Sequence, residues 1–217
     1  MRVLFFGYSQ MGAVALDVLA KQGHEVAAVV THRDDPHENR WYRVPAEAAK
    51  QHGFPVVYAE EVEGRYVKFV REQAPDLLLS VFYRKMIPSQ ALPIPRIASL
   101  NLHPSLLPAY RGRAPVNWVL VNGERVTGVS LHHMTREPDA GDIVGQRAIS
   151  IAPRETAYTL YHKVEAEGRA LLEEMLPLVA KGSAPRTPQD HAKHTYFGGR
   201  KPDDGRIDWA WDARKVD

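Results

Sequence analysis

The chain has 217 residues with 28 Lys and Arg against 26 Asp and Glu, a formal charge of +2, 44 % hydrophobic and 25 % charged residues, and no cysteine. These values exclude collagen, coiled coil and intrinsic disorder, and the missing cysteines exclude a disulfide scaffold, a thiolate metal site and a thiol nucleophile. The near-balanced charge gives no reason to expect a nucleic-acid partner, although a pI of 8.8 leaves room for an anionic ligand.

The length suits one full domain and at most part of a second. No apolar run approaches the roughly 18 residues of a membrane span, and residues 1–7, Met-Arg-Val-Leu-Phe-Phe-Gly, read as a buried strand entering a glycine turn, too short for a signal peptide. The expected setting is cytoplasmic, with no membrane association.

In chain order, the first apolar run covers residues 3–6, followed by helical spacing over 11–19 and a second strand over 26–30. The alternation continues with a helix at 44–52, a short strand at 55–57, a helix at 65–73 and a strand at 77–81. Strands that are apolar without alternation are buried on both faces, so the expected class is α/β, a Rossmann-like, mostly parallel sheet with helices on both faces. A strand at 97–103 runs into a loop rich in Pro and Gly, then a helix near 116–121. Strands at 126–133 and 143–151 follow, then the longest periodic stretch, 156–180, ending at Lys181-Gly182. Beyond Gly182 the texture turns polar, with apolar clusters only at 196–197 and 207–211. Residues 1–182 therefore read as one folded domain, and 183–217 as an arm or linker towards a second domain.

Four stretches could carry chemistry. Gly7-Tyr-Ser-Gln-Met-Gly12 joins the first strand to the first helix, where free amides could hold a phosphate. It lacks both the dinucleotide spacing and the phosphate-loop ending, and tight helix–strand packing explains its glycines equally well. In Asn101-Leu-His103 the strand period places an amide and an imidazole on one face, at the carboxyl end of a buried strand where open parallel sheets bind ligands. An amide donor and a group that moves a proton near neutrality are two parts of an acyl transfer; the alternative is a structural pair satisfying loop backbone. Asp139-Ala-Gly-Asp142 is a turn former by composition, and Asp139 could also bring a carboxylate to the same edge and raise the pKa of His103. Tyr110-Arg-Gly-Arg-Ala-Pro-Val-Asn-Trp118 is a basic loop opening a helix, read either as an anion grip through Arg111 and Arg113 or as solvated surface. His132-His133 and the pair His191 and His194 lack zinc-site spacing, so no metal is expected.

Asn101-Leu-His-Pro-Ser-Leu-Leu-Pro-Ala-Tyr-Arg-Gly112, with Asp139-Ala-Gly141 beginning 38 positions after Asn101, resembles the 10-formyltetrahydrofolate-dependent formyltransferases. That family includes glycinamide ribonucleotide, methionyl-tRNA and sugar-nucleotide enzymes. Residues 110–123, together with Ser80-Val-Phe-Tyr-Arg-Lys-Met-Ile87, Thr31-His-Arg-Asp-Asp-Pro36 and Phe197-Gly-Gly-Arg-Lys-Pro-Asp-Asp204, are most similar to the branch that formylates UDP-4-amino-4-deoxy-L-arabinose in lipid A modification and polymyxin resistance. Two departures stand out: Gly12 is followed by Ala-Val-Ala rather than a distinctive substrate motif, and the family's β-rich C-terminal domain does not fall within these residues.

The resemblance implies that Asn101 stabilises the oxyanion, His103 transfers the proton and Asp139 raises the pKa of His103. It implies 10-formyltetrahydrofolate as co-substrate, held by Lys85, Met86, Ile87 and Arg113 and by Thr135, Arg136, Glu137, Pro138 and Asp139, with no metal. Candidate contacts to a nucleotide-linked amino sugar are Gly7, Tyr8, Gly12, Tyr110, Arg111 and Asn117. A further domain, fused or associated, is also implied. Another sugar-nucleotide N-formyltransferase and methionyl-tRNA formyltransferase are the rivals within the family, the latter disfavoured by the near-neutral charge. A folate or nucleotide-sugar binding module without turnover is the rival of another class.

Overall fold

The side chains of Arg2–Gly7 (β1), Glu25–Thr31 (β2) and Leu77–Val81 (β4) are almost all inaccessible because the sheet is covered on both sides. The computed structural model describes residues 1–33 and 40–213. With Val56–Tyr58 (β3), Ala98–His103 (β5), Val126–His133 (β7) and Ile143–Ser150 (β8) they form one seven-stranded sheet in the order β3-β2-β1-β4-β5-β7-β8. The first five strands of that order run parallel, while β7 pairs antiparallel with β5 and β8 antiparallel with β7. The mostly parallel α/β class expected from the apolar runs is the class observed.

One face packs against Ser9–Lys21 (α1), Pro45–His52 (α2), Pro115–Val121 (α5) and the 24-residue Ala157–Ala180 (α6), which bring Leu16, Ala48, Val119 and Leu172 onto Phe5, Leu79, Leu100 and Leu131. The other face packs against Ala59–Val62 (α3) and Tyr66–Gln73 (α4), through Val62, Phe69 and Val70 on Leu4, Phe6 and Leu78. Helix α6 begins where Thr156 Oγ1 accepts from the Thr159 amide, and ends before Gly182 in a left-handed conformation (φ +67°). The short α3 escapes sequence periodicity because four residues make barely one turn. No described helix is long and apolar enough to cross a membrane.

Leu100 lies wholly inside the core on β5, on the face opposite Asn101. Leu100→Ala should cost about 2–5 kcal/mol of stability, read by urea denaturation, because its packed neighbours relax only partly into the emptied volume. An unchanged midpoint would place Leu100 outside the cooperative core.

The segment beyond Gly182 returns over the domain. Thr187 exchanges two backbone hydrogen bonds with Ile143 at the start of β8 (2.8 and 2.9 Å). Tyr196–Phe197 (β9) pairs in parallel with Arg111–Gly112 (β6), forming a second, two-stranded sheet. The Phe197 ring stacks on Tyr110 (4.9 Å between centroids), and Trp118 Nε1 donates to the Gly198 carbonyl. Residues 34–36 of the Thr31 motif and 215–217 lie outside the described residues.

Candidate active site

Strand β5 is the last parallel strand before the sheet reverses direction at β7, and its carboxyl end opens towards the loops. Leu100 and Leu102 point into the core, so the period of two turns Asn101 and His103 to the other face. The β5–β7 register sets His132 directly opposite Asn101. His132 is 1 % exposed, and its Nε2 lies 3.1 Å from Asn101 Nδ2. Because His132 Nδ1 meets the His133 carbonyl (2.8 Å), that nitrogen carries the hydrogen and Nε2 accepts from Asn101.

After β5 the chain passes a cis Leu107–Pro108 bond and comes back so that the Tyr110 carbonyl accepts from His103 Nε2 (2.8 Å). His103 Nδ1 faces Asp139 Oδ1 at 3.6 Å, the Gly112 amide donates to Asp139 Oδ2 (2.9 Å), and Asn101 Nδ2 reaches Asp139 Oδ1 at 3.4 Å. Amide, imidazole and carboxylate thus converge as the sequence pattern suggests, with His132 as an additional member. The loop carrying Asp139 approaches β7 so closely that a Cβ on Gly141 would sit 2.0 Å from the His133 carbonyl oxygen, which accounts for glycine at that position. Asp139, Tyr110, Ala114, Phe82 and Ser9 all hold left-handed backbone (φ +53° to +59°), and Asp139, Ala114 and Phe82 line the cavity beside this site. Such strain persists only where surrounding contacts impose it.

Burial alone would raise the Asp139 carboxyl, but His103, His132 and the Gly112 amide outweigh it and hold Asp139 well below the ordinary carboxylate range. For His103 the balance tips the other way. Burial holds the ring below its ordinary value, although Asp139 and the Tyr110 carbonyl both favour the charged form. The expectation that Asp139 leaves His103 with a raised pKa is corrected accordingly: the carboxylate acts in that direction, and desolvation of the ring exceeds it.

A cavity of about 770 Å³ opens beside these groups. Its wall includes Asn101, His103 and Asp139 together with Lys85, Met86, Ile87, Arg113, Thr135, Pro138 and Asn117 from the sequence candidates. Lys85 is engaged by Glu63 (2.8 Å). Aromatic side chains not named as site candidates complete the wall: Trp41, Tyr158 and Tyr161, with Phe82 from the 80–87 motif and Tyr196 from the 196–197 cluster. Arg136 and Glu137 stay outside the wall, Glu137 facing Arg111 at 3.6 Å.

The remaining candidates do not reach the cavity wall. Gly12 serves packing, since a Cβ there would come within 2.8 Å of Pro45 Cγ, and Gly7 is closed off by the Phe5 ring. Tyr8 is buried beneath the Arg84 guanidinium (4.0 Å to the ring centroid). The Tyr110 hydroxyl donates to Glu124, so this residue contributes its carbonyl rather than its ring. Arg111, 2 % exposed, is spent inside the protein on Gln189 (2.7 and 3.2 Å) and His191 (3.1 Å), and is not an anion grip.

A mostly parallel sheet here brings an amide and an imidazole to one cavity wall at the carboxyl end of its last parallel strand, where open sheets of this class bind ligands. Residues 1–176 match the family model described as formyl transferase, and the chain belongs to that family. Its structural relatives include the N-formyltransferase from Helicobacter canadensis in complex with folinic acid and dTDP-3-aminofucose, at 20 % identity and TM-score 0.73 over 91 % of this chain and 71 % of that one. WlaRD, a sugar 3N-formyl transferase solved with dTDP and 5-N-formyl-THF, superposes at TM-score 0.78 and 19 % identity over 100 % of this chain and 76 % of the other. The phosphoribosylglycinamide formyltransferase from Bacillus halodurans shares 27 % identity over 83 % of this chain and 96 % of that one, at TM-score 0.70. The first two likenesses establish a common fold.

Proposed function

We propose that this chain transfers the formyl group of 10-formyltetrahydrofolate to the 4-amino group of a nucleotide-linked sugar, UDP-4-amino-4-deoxy-L-arabinose, the lipid A sugar. The observation that carries the chemistry is the convergence of Asn101, His103 and Asp139 on one cavity wall. The fit to the co-substrate rests on the volume, on the apolar wall of Phe82, Met86, Ile87 and Leu92, suited to a flat ring, and on Thr135, Pro138 and Arg113 around the same space. The co-substrate supplies an activated formyl group on nitrogen.

Asn101 orients one amide hydrogen on His132 and keeps the other only loosely engaged, at 3.4 Å from Asp139, so that it can turn to the formyl oxygen as that atom gains negative charge. His103, neutral at physiological pH, accepts the proton that the attacking amine loses and returns it to the departing folate nitrogen. Asp139 stays ionised and steadies the imidazolium that forms in between. The amine–carbon bond forms and the carbon–folate nitrogen bond breaks, with no covalent bond to the protein.

The test is formyl transfer from 10-formyltetrahydrofolate, following tetrahydrofolate release, to UDP-4-amino-4-deoxy-L-arabinose, dTDP-3-amino sugars, glycinamide ribonucleotide and methionyl-tRNA. Turnover confined to the arabinose derivative is expected. A second reading, a dTDP-3-amino sugar as acceptor, is favoured by the ligands of the two sugar enzymes above, and turnover on that compound alone would replace the first. Folate binding without turnover on any acceptor would leave a binding module.

A further inference from the structure

The best-satisfied side chain near the site lies outside the segment that matches the family model. Gln189, 6 % exposed, belongs to the polar arm that returns over the domain. Its Oε1 accepts from Arg111 Nη2 (2.7 Å) and Nε (3.2 Å), and its Nε2 donates to the carbonyls of Asp139 (2.8 Å) and Gly141 (2.6 Å). That uses the whole capacity of a primary amide, two donors and two acceptor positions. One side chain therefore ties three segments together: the loop after β5, the loop after β7 and the arm.

The two tied loops are the ones that present acceptors to His103. Arg111 adjoins Tyr110, whose carbonyl meets His103 Nε2, and the Asp139 carbonyl bonded by Gln189 sits on the residue whose carboxylate faces Nδ1. Both Tyr110 and Asp139 hold left-handed backbone, a conformation that relaxes unless something fixes it.

We propose that Gln189 is a positioning residue, which holds the Asp139 loop and the Tyr110 loop at the spacing that brackets the His103 ring, so that the docked arm is part of the catalytic unit. The kinetic side of this rests on the formyl-transfer reading. The geometric side does not.

Two variants separate the tether from general packing. Gln189→Met keeps the length and removes all four hydrogen bonds. Gln189→Glu keeps an acceptor for Arg111 but offers no donor to the Asp139 and Gly141 carbonyls. Lys193→Ala, on the exposed side of the arm, is the control. The first readout is kcat and KM for formyl transfer. A displacement of reacting groups by about 1 Å costs on the order of 100-fold, so both variants should lose that much in kcat with KM for the co-substrate little changed. The second is the NMR titration of the His103 ring in the free protein, assigned with His103→Asn. The titratable groups facing that ring are Asp139 and His132. Loosening Asp139 removes the charge that favours imidazolium, so the midpoint should move to lower pH in Gln189→Met and stay put in Lys193→Ala; Gln189→Glu adds a carboxylate that itself favours imidazolium, so kcat is its readout.

If Gln189→Glu matches the wild type in kcat, or if Gln189→Met lowers only the melting temperature, the proposal is overturned. Should Gln189→Met not fold, Gln189→Glu, with its Arg111 partner kept, decides alone. Should no acceptor be formylated, the proposed function fails while the titration still decides the tether.

Discussion

Asn101→Ala is expected to lower kcat by about 100- to 1,000-fold, the usual cost of removing one oxyanion donor, while binding of the folate co-substrate is nearly preserved. The reasoning lies in where the amide sits. Its nitrogen is fixed by His132 Nε2 at 3.1 Å, so the side chain is oriented before any substrate arrives and spends little on reorganisation. The alanine variant leaves His132 and Asp139 without that donor but opens no cavity in the apolar core, because Asn101 lies on the cavity side of β5. Thermal stability should therefore change far less than turnover. Equal losses in kcat and in co-substrate affinity would show that the amide grips the ground state instead.

Asp139→Asn should be nearly as damaging, with a loss of ~100-fold or more, the range for disabling a positioned acid–base group. It should also change the pH profile. His103 acts as proton acceptor, so turnover falls as pH drops through its pKa, which burial already holds below the ordinary imidazole value. Asp139 opposes that burial effect. Without its charge the ring becomes less basic, and the acid limb moves to still lower pH even as the plateau falls. In addition, an amide NH₂ placed where Asp139 Oδ2 now accepts would face the Gly112 N–H, donor against donor. A profile with an unmoved acid limb would assign that limb to a group other than His103.

Much of the sheet is legible in local pattern. Residues 77–81 and 126–133 begin and end as strands where the sequence places them, the former because burial on both faces leaves an apolar run with no alternation to misread. Asn101, His103 and Asp139 are legible too, since the strand period and a turn place them at one edge. His132 is not. Its role comes from the cross-strand register with Asn101, 31 positions away, and within its own strand it reads only as half of a histidine pair. Arg111 misleads for a related reason: no acidic neighbour in sequence suggests a free cation, whereas its partners Gln189 and His191 lie 78 and 80 positions downstream. The glycines of the first turn carry the same ambiguity. Close packing and phosphate binding both select glycine, and the nearness of Pro45 and Phe5 shows that packing alone is enough to require it at Gly12 and Gly7.

The pairing of β6 with β9 also sets an order of events in time. All seven strands of the main sheet and α6 lie before Lys181, so a ribosome that has released that much chain has released every buried side chain of the hydrophobic core. The strand that closes over Arg111 and Gly112 emerges only afterwards. A nascent chain can thus possess its folded body while the loops around the cavity still lack this neighbour, which arrives by the docking of a short polar segment rather than by hydrophobic collapse.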